Sequence, residues 1–148
     1  MDTAEWSRRQ GHRLIQVGVL LFLLALLVGL AVPTFAVPRL GLSTHLLGIM
    51  QGTLLMVVGV LWPRLRLTRA AARVAFVLAI YGCVAAWTAN LFAAIWGAGN
   101  TMVPIAAGAA RGSPIQEGFI SIALRSAAVS LIATAMLILW GLRGAGDT

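Results

Sequence analysis

The sequence predicts an all-α integral membrane protein, in which four transmembrane helices form one bundle with both termini in the cytoplasm. Of the 148 residues, 60% are hydrophobic and only 10% are charged. A soluble domain has about 25% charged residues. The apolar residues also fall into four long runs. Composition and pattern therefore favour a lipid environment for a single membrane domain over residues 1–148 and exclude an ordinary soluble enzyme.

Each apolar run is long enough to cross a bilayer, since a spanning helix needs about 20 residues. The runs cover residues 14–32, 42–62, 74–96 and 118–142. Pro33 and Pro38 flank the turn after the first run, and Pro63 ends the second. The first run is longer than the apolar part of a signal peptide, so we interpret it as a retained helix. The link of residues 97–114 is rich in Gly and Ala and is predicted to be non-helical, either a lid or a plain loop.

The arginines predict the orientation, because basic residues collect on the cytoplasmic side of membrane proteins. Eight arginines flank one set of helix ends, and only Arg39 and Arg111 flank the other. The eight are Arg8, Arg9, Arg13, Arg64, Arg66, Arg69, Arg73 and Arg143. The net charge of +7 is therefore interpreted as a topology signal, not as a nucleic-acid surface. We expect a multi-pass protein of the inner membrane, with the lipid bilayer as its partner.

Few polar side chains fall inside the predicted spans, and each is a candidate functional residue because it is costly there. Five of them share the outer half of the bilayer, and Tyr81 lies nearer the middle. The five are His45, Gln51, Asn90, Glu117 and Arg125. They come from segments far apart in the sequence, so their common depth predicts one polar site. Cys83, within an apolar run, is interpreted as an unreactive core residue.

His45 stands above a stripe of small residues on the second helix. At about 100° per residue, His45, Gly48, Gly52, Met56 and Gly59 fall within roughly 80° of one another. Two interpretations remain open: close packing of another helix against the glycines, or a flat ligand lying on them with His45 at its edge. The histidine itself could be a structural residue, a proton carrier or a metal ligand. The other histidine, His12, lies at the opposite face, which makes a bis-histidine haem within one chain awkward.

A second polar stripe runs along the fourth helix, through Glu117, Ser121 and Arg125. Glu117 and Arg125 are roughly 12 Å apart along the axis, too far for a direct ion pair within the helix. Each is therefore expected to find a partner on another helix, on another subunit or on a ligand.

Most of the chain, from about Leu14 to Arg143, resembles the hydroxylaminobenzene mutase family. The resemblance is carried by PRLGLSTH at residues 38–45, by Gln51-Gly52, and by WGAG and PIAAG in the third helix and the link. It implies a small membrane enzyme that converts arylhydroxylamines to 2-aminophenols, as in nitroaromatic degradation. The hydroxyl group would move within the molecule.

A fainter resemblance reaches styrene oxide isomerase, through His45 followed by Gln51 and Gly52. It implies four transmembrane helices, a homotrimer, and haem b held through its iron by His45. This chain departs from that family at two positions of the third helix. Tyr81, followed by Gly82, takes the place of an Asp, and Ala89, next to Asn90, takes the place of a catalytic Tyr.

These resemblances give each candidate residue an expected role. His45 would hold the haem iron, which would act as a Lewis acid on the hydroxylamine. Gly48, Gly52 and Arg125 would contact the cofactor. Asn90 and Gln51 would orient the substrate. Tyr81 or Glu117 would move the proton.

Three other functions remain open from the sequence. A small multidrug-type transporter fits the length and the helix number, but such exporters need an acidic residue within a helix, and Glu117 is the only candidate. An inert membrane scaffold would leave His45, Asn90 and Arg125 unexplained. A haem electron carrier is disfavoured by the single histidine within the spans.

Overall fold

The computed structural model describes residues 3–143, which form four long α-helices and one short one. The helices are α1 (Thr3–Ala31), α2 (Pro38–Leu61), α3 (Arg69–Trp96), α4 (Pro104–Ala107) and α5 (Pro114–Leu142). Short 3-10 helices follow α1 at Val32–Thr34 and α2 at Trp62–Arg64. The all-helical prediction is confirmed, and α1, α2, α3 and α5 are each long and apolar enough to cross a membrane.

The helices extend beyond the predicted apolar runs, and polar residues cap the starts of α3 and α5. Thr68 precedes α3, and its side chain accepts a hydrogen bond from the N–H of Ala71. Ser113 precedes α5 and forms a capping box with Gln116. Gly97 ends α3 with a φ of 65°, a left-handed conformation that glycine adopts without strain.

The four long helices pack as two antiparallel pairs. One pair is α1 with α2, the other is α3 with α5, and the pairs meet between α2 and α3. The connection of residues 62–68 lies at the terminal end of the bundle, where α1 begins and α5 ends. Residues 32–37 and the link of residues 97–113 lie at the opposite end, which we call the link end.

Helices α1 and α2 approach closely enough for their backbones to face each other at two pairs of glycines. A Cβ atom at Gly52 would lie 2.7 Å from the carbonyl oxygen of Gly18, and one at Gly18 would lie 2.7 Å from that of Gly52. Gly11 and Gly59 face each other in the same way, at 2.6 Å. The glycine stripe on α2 therefore packs against α1, which is the helix-packing interpretation of that stripe.

The link of residues 97–113 is not an extended loop. It contains α4 and packs against the ends of the long helices. Ala98 and Ala107 from the link are buried with Leu40 of α2 and Ile120 of α5. The prediction that the link is non-helical is therefore wrong for one turn, because Pro104 supplies a helix start inside it.

We expect Gly52→Ala to destabilise the bundle by about 1–3 kcal/mol, the usual cost of overpacking a tight contact. The added methyl would meet backbone atoms of Gly18 and Phe22, which cannot rotate away. Gly118→Ala is the matched control, since a Cβ there meets no atom within 4 Å. Thermal unfolding in detergent should show a lower midpoint for Gly52→Ala alone. Equal midpoints for the two variants would contradict the backbone contact.

Candidate functional site

His45 is held by helix α1. Its Nδ1 lies 2.7 Å from the carbonyl oxygen of Ala25. The ring also lies directly on Gly29, where a Cβ atom would come within 2.5 Å of Nδ1 and 2.7 Å of Cε1. Because a carbonyl oxygen can only accept, Nδ1 carries the proton in this contact, and the lone pair of the neutral ring is on Nε2. Two residues of α1 thus fix the orientation and the tautomer of His45.

An open groove of about 590 Å³ adjoins His45 at the link end of α1 and α2. Its walls are almost entirely apolar and include Leu26, Leu30, Val32, Pro33 and Leu42. His45 is the one residue of this lining with an ionisable side chain. The lining of this apolar groove therefore includes one ring nitrogen with a lone pair, on a histidine whose other nitrogen is already bonded.

Gln51 and Asn90 lie inside the bundle, where α2 meets α3. Both are buried, with 6% and 5% of their surface exposed. The amide nitrogen of Asn90 donates to the carbonyl oxygen of Ala86 at 3.0 Å. The side-chain oxygen of Gln51 has no hydrogen-bond partner among residues 3–143. These two predicted site residues are therefore interior, whereas His45 faces α1.

Tyr81 and Arg125 lie on the outward surface of the α3–α5 pair. The Tyr81 hydroxyl is 2.7 Å from the hydroxyl of Ser126. Arg125 is exposed and makes no ion pair or hydrogen bond within the described part of the chain. A charge is costly at this depth of an apolar helix unless it is paired. This surface therefore carries polar groups that a single chain leaves open to its surroundings.

Glu117 holds the link in place. Its Oε1 accepts hydrogen bonds from the backbone N–H groups of Gly99, Asn100 and Gly112, at 2.9, 3.2 and 3.1 Å. Its Oε2 accepts another from the N–H of Thr101 at 3.1 Å. A carboxylate is an acceptor-only group that suits four N–H donors. Glu117 thus joins both halves of the link to the start of α5.

The predicted site residues with polar side chains therefore occupy four places in one chain: the groove at His45, the interior of the bundle at Gln51 and Asn90, the outward surface of α3 and α5, and the link at Glu117. Gly48 and Gly52 lie against neighbouring helices, and their assignment to a cofactor stays a prediction. No group of three His, Cys, Asp or Glu side chains that could hold a metal ion occurs among residues 3–143.

Sequence reasoning missed the residues that support His45 and Tyr81. Gly29 and Ala25 on α1 have no functional side chain, so their residue types did not indicate a role at the site. A usable signal was present in the spacing, since Gly11, Gly18 and Ala25 recur every seven residues and Gly29 follows one turn later. Ser126, which bonds to Tyr81, could be paired with it only once α5 was placed beside α3.

Known proteins resemble this chain over most of its length. The family model of styrene oxide isomerase matches residues 10–143. Hydroxylaminobenzene mutase HabB of Ectopseudomonas oleovorans is 49% identical over 134 residues, which cover 90% of this chain and 82% of that protein. Hydroxylaminobenzene mutase HabA of the same organism is 42% identical over 125 residues, which cover 84% and 93%. No solved structure gives a significant match.

The role of Glu117 can be tested by proteolysis at Arg111, an exposed residue of the link. Glu117→Ala removes the acceptor of four N–H groups, and each lost bond of this kind costs about 1–3 kcal/mol when its donor stays away from water. We expect trypsin to cut after Arg111 at least tenfold faster in this variant. Glu5→Ala is the control, because Glu5 makes only an exposed ion pair with Arg9. Unchanged cleavage at Arg111 in Glu117→Ala would contradict the anchoring role.

Proposed function

Since the chain belongs to the styrene oxide isomerase family, we propose that it rearranges arylhydroxylamines to 2-aminophenols. The chain is an isomerase-type enzyme, as its two relatives named hydroxylaminobenzene mutase indicate. The proposed reaction breaks the N–O bond and forms a C–O bond at the ortho carbon of the same ring. The displaced ring proton is balanced by a proton gained at nitrogen, so no external oxidant or reductant is needed.

We also propose that haem b binds in the groove beside His45. The observation that supports it most is the bond between the His45 Nδ1 and the Ala25 carbonyl, because metal-binding histidines commonly donate their other nitrogen to such an acceptor. The groove is apolar and open along one side, which suits a flat hydrophobic ring. When bound, the haem iron would supply a Lewis acid for cleavage of the N–O bond.

The side chains around the reacting molecule would orient it and move its protons. In this proposal the amides of Gln51 and Asn90, inside the bundle, orient the substrate through hydrogen bonds as it approaches the groove at His45, and the apolar walls of that groove keep out water that would otherwise trap a reactive cation. Tyr81, bonded to Ser126, is the better-placed proton carrier. The four N–H bonds of Glu117 leave that carboxylate little freedom to exchange a proton with a substrate.

A homotrimer, favoured by the resemblance, would bring together residues that one chain keeps apart. The His45 groove and the surface with Tyr81 and Arg125 lie on different faces of the bundle. In a ring of identical subunits, one face of each copy meets the other face of its neighbour. Arg125 would then gain an anionic partner, for example a carboxylate of the cofactor, which would offset the cost of its position in lipid.

We place this protein in the inner membrane, with both termini in the cytoplasm. The support is the distribution of arginines, eight of which flank the terminal end of the bundle. The transporter alternative gains no support from the contacts of Glu117. A proton-coupled exporter needs a carboxyl group that is free to bind and release protons, whereas this one is held by four backbone donors.

A visible absorption spectrum of the purified protein, beside turnover of phenylhydroxylamine, tests this proposal. We expect the wild type to show a Soret band and to form 2-aminophenol. His45→Ala should lose the band and at least 100-fold in activity, since loss of a metal's protein ligand removes the metal chemistry. His12→Ala is the control, an exposed histidine at the terminal end of the bundle. Full activity in His45→Ala would overturn the proposed mechanism.

A further inference from the structure

Two buried polar atoms in the described chain have no hydrogen-bond partner, and they are complementary. One is the side-chain oxygen of Gln51, an acceptor, and the other is the indole nitrogen Nε1 of Trp87, a donor. The two residues are 6% and 8% exposed. Buried polar groups in folded proteins are nearly always bonded to protein, water or ligand. An unpaired donor and an unpaired acceptor in one bundle therefore indicate a site for a polar group.

The positions of Trp87 and Gln51 direct the two atoms toward the same level of the bundle. A Cβ atom at Gly48 of α2 would be 2.5 Å from Trp87 Nε1, so the indole nitrogen reaches α2 at Gly48. Gln51 follows Gly48 by three residues, on nearly the same face of α2. Side chains of a helix lean toward its N-terminus, which directs the Gln51 amide toward the level of Gly48. Helix geometry thus directs the donor and the acceptor toward the same region between α2 and α3.

We infer that Trp87 and Gln51 form an internal binding site for the hydroxyl group of a small aromatic molecule. The hydroxyl oxygen accepts a hydrogen bond from Trp87 Nε1, and its hydrogen is donated to the Gln51 oxygen. A hydroxyl satisfies both atoms at once, whereas a carboxylate cannot donate and an ammonium cannot accept. The ligand class, an arylhydroxylamine or its hydroxylated product, rests on the proposed function.

Space for the aromatic ring lies one helical turn from Gln51 and Trp87, in the direction of the terminal end of the bundle. An apolar cavity of about 110 Å³ lies between α2, α3 and α5. Its lining includes Leu54 and Leu55, three and four residues after Gln51, and Cys83, four residues before Trp87. This volume is about three quarters of the ~150 Å³ of an apolar protein cavity that takes up benzene. A polar pair beside an apolar cavity matches a molecule with a hydroxyl at one end of a ring.

The inferred site is separate from the groove at His45, and Gly48 lies between this site and the residue that holds His45. The Cβ position of Gly48 lies 2.6 Å from Ala25 Cβ on one side and 2.5 Å from Trp87 Nε1 on the other. Ala25 is the residue whose carbonyl oxygen holds His45. The site therefore holds a substrate or product on the α3 side of α2, while His45 faces the groove on the α1 side.

The site can be tested with two unreactive probes of similar size, benzyl alcohol and ethylbenzene, of which only the first carries a hydroxyl. The ¹⁵N-indole NMR signal of Trp87 in the detergent-purified protein, assigned by its loss in Trp87→Phe, should shift with benzyl alcohol and not with ethylbenzene. Competition binding experiments should show that Trp87→Phe binds benzyl alcohol about tenfold more weakly than the wild type does. This factor corresponds to the free energy of one hydrogen bond. Its affinity for ethylbenzene should be unchanged.

Two further variants separate the hydroxyl contact from general packing. Trp62→Phe is the matched control, because Trp62 is also buried but its Nε1 already donates to Gln10 at 3.1 Å. It should bind both probes like the wild type. Ala79→Leu places a larger side chain in the cavity and should weaken the binding of both probes equally.

A Trp87 signal that benzyl alcohol does not move, or equal probe affinities in wild type and Trp87→Phe, would overturn the inference. Binding is read without turnover, so this outcome is distinguishable from failure of the proposed function, which would appear as a wild type that does not convert phenylhydroxylamine.

Discussion

The close approach of α1 and α2 is the constraint on which the His45 region depends. Gly11 faces Gly59 and Gly18 faces Gly52, each through backbone atoms. The same seven-residue step brings Ala25 opposite His45, where the carbonyl oxygen of α1 meets the imidazole. Larger side chains at these glycine positions would separate α1 from α2, and the contact between Ala25 and His45 would be lost. The glycines therefore matter to the chemistry through the histidine that they allow α1 to hold.

The link end is organised by a different interaction, which depends on charge. One carboxylate, Glu117, accepts four backbone N–H groups from a segment that contains little else to fix its shape. Glycines in the link allow the chain to turn around the carboxylate, as Gly99 does with a φ of 105°. The link then packs against α2 and α5 and closes the bundle over the buried Asn90 side of α3. An acidic side chain in an apolar helix thus serves the architecture.

The polar residues discussed above fall into two groups, those with a hydrogen-bond partner in the chain and those without one. His45 and Glu117 form hydrogen bonds with backbone groups, and Tyr81 forms one with Ser126. Trp87 and Gln51 have buried atoms that the chain leaves unbonded, and Arg125 is exposed on an apolar helix. Since unpaired polar groups are costly in a protein interior or in lipid, these three are where a ligand or a second subunit contributes most.

The sequence by itself determined the number of long helices, their approximate extent and the family, because long apolar runs and motifs such as PRLGLSTH are local properties of the chain. It also identified His45, Gln51 and Asn90 as unusual, since polar groups in apolar runs are visible without a fold. Only the tertiary structure decided what faces them. The direction of a side chain around a helix is set by which helix packs beside it, so Gly29, Ala25 and Trp87 gained their importance from neighbours distant in sequence. The four hydrogen bonds of Glu117 also became visible only in the structure, because its donors lie 5 to 18 residues away and converge only when the link folds.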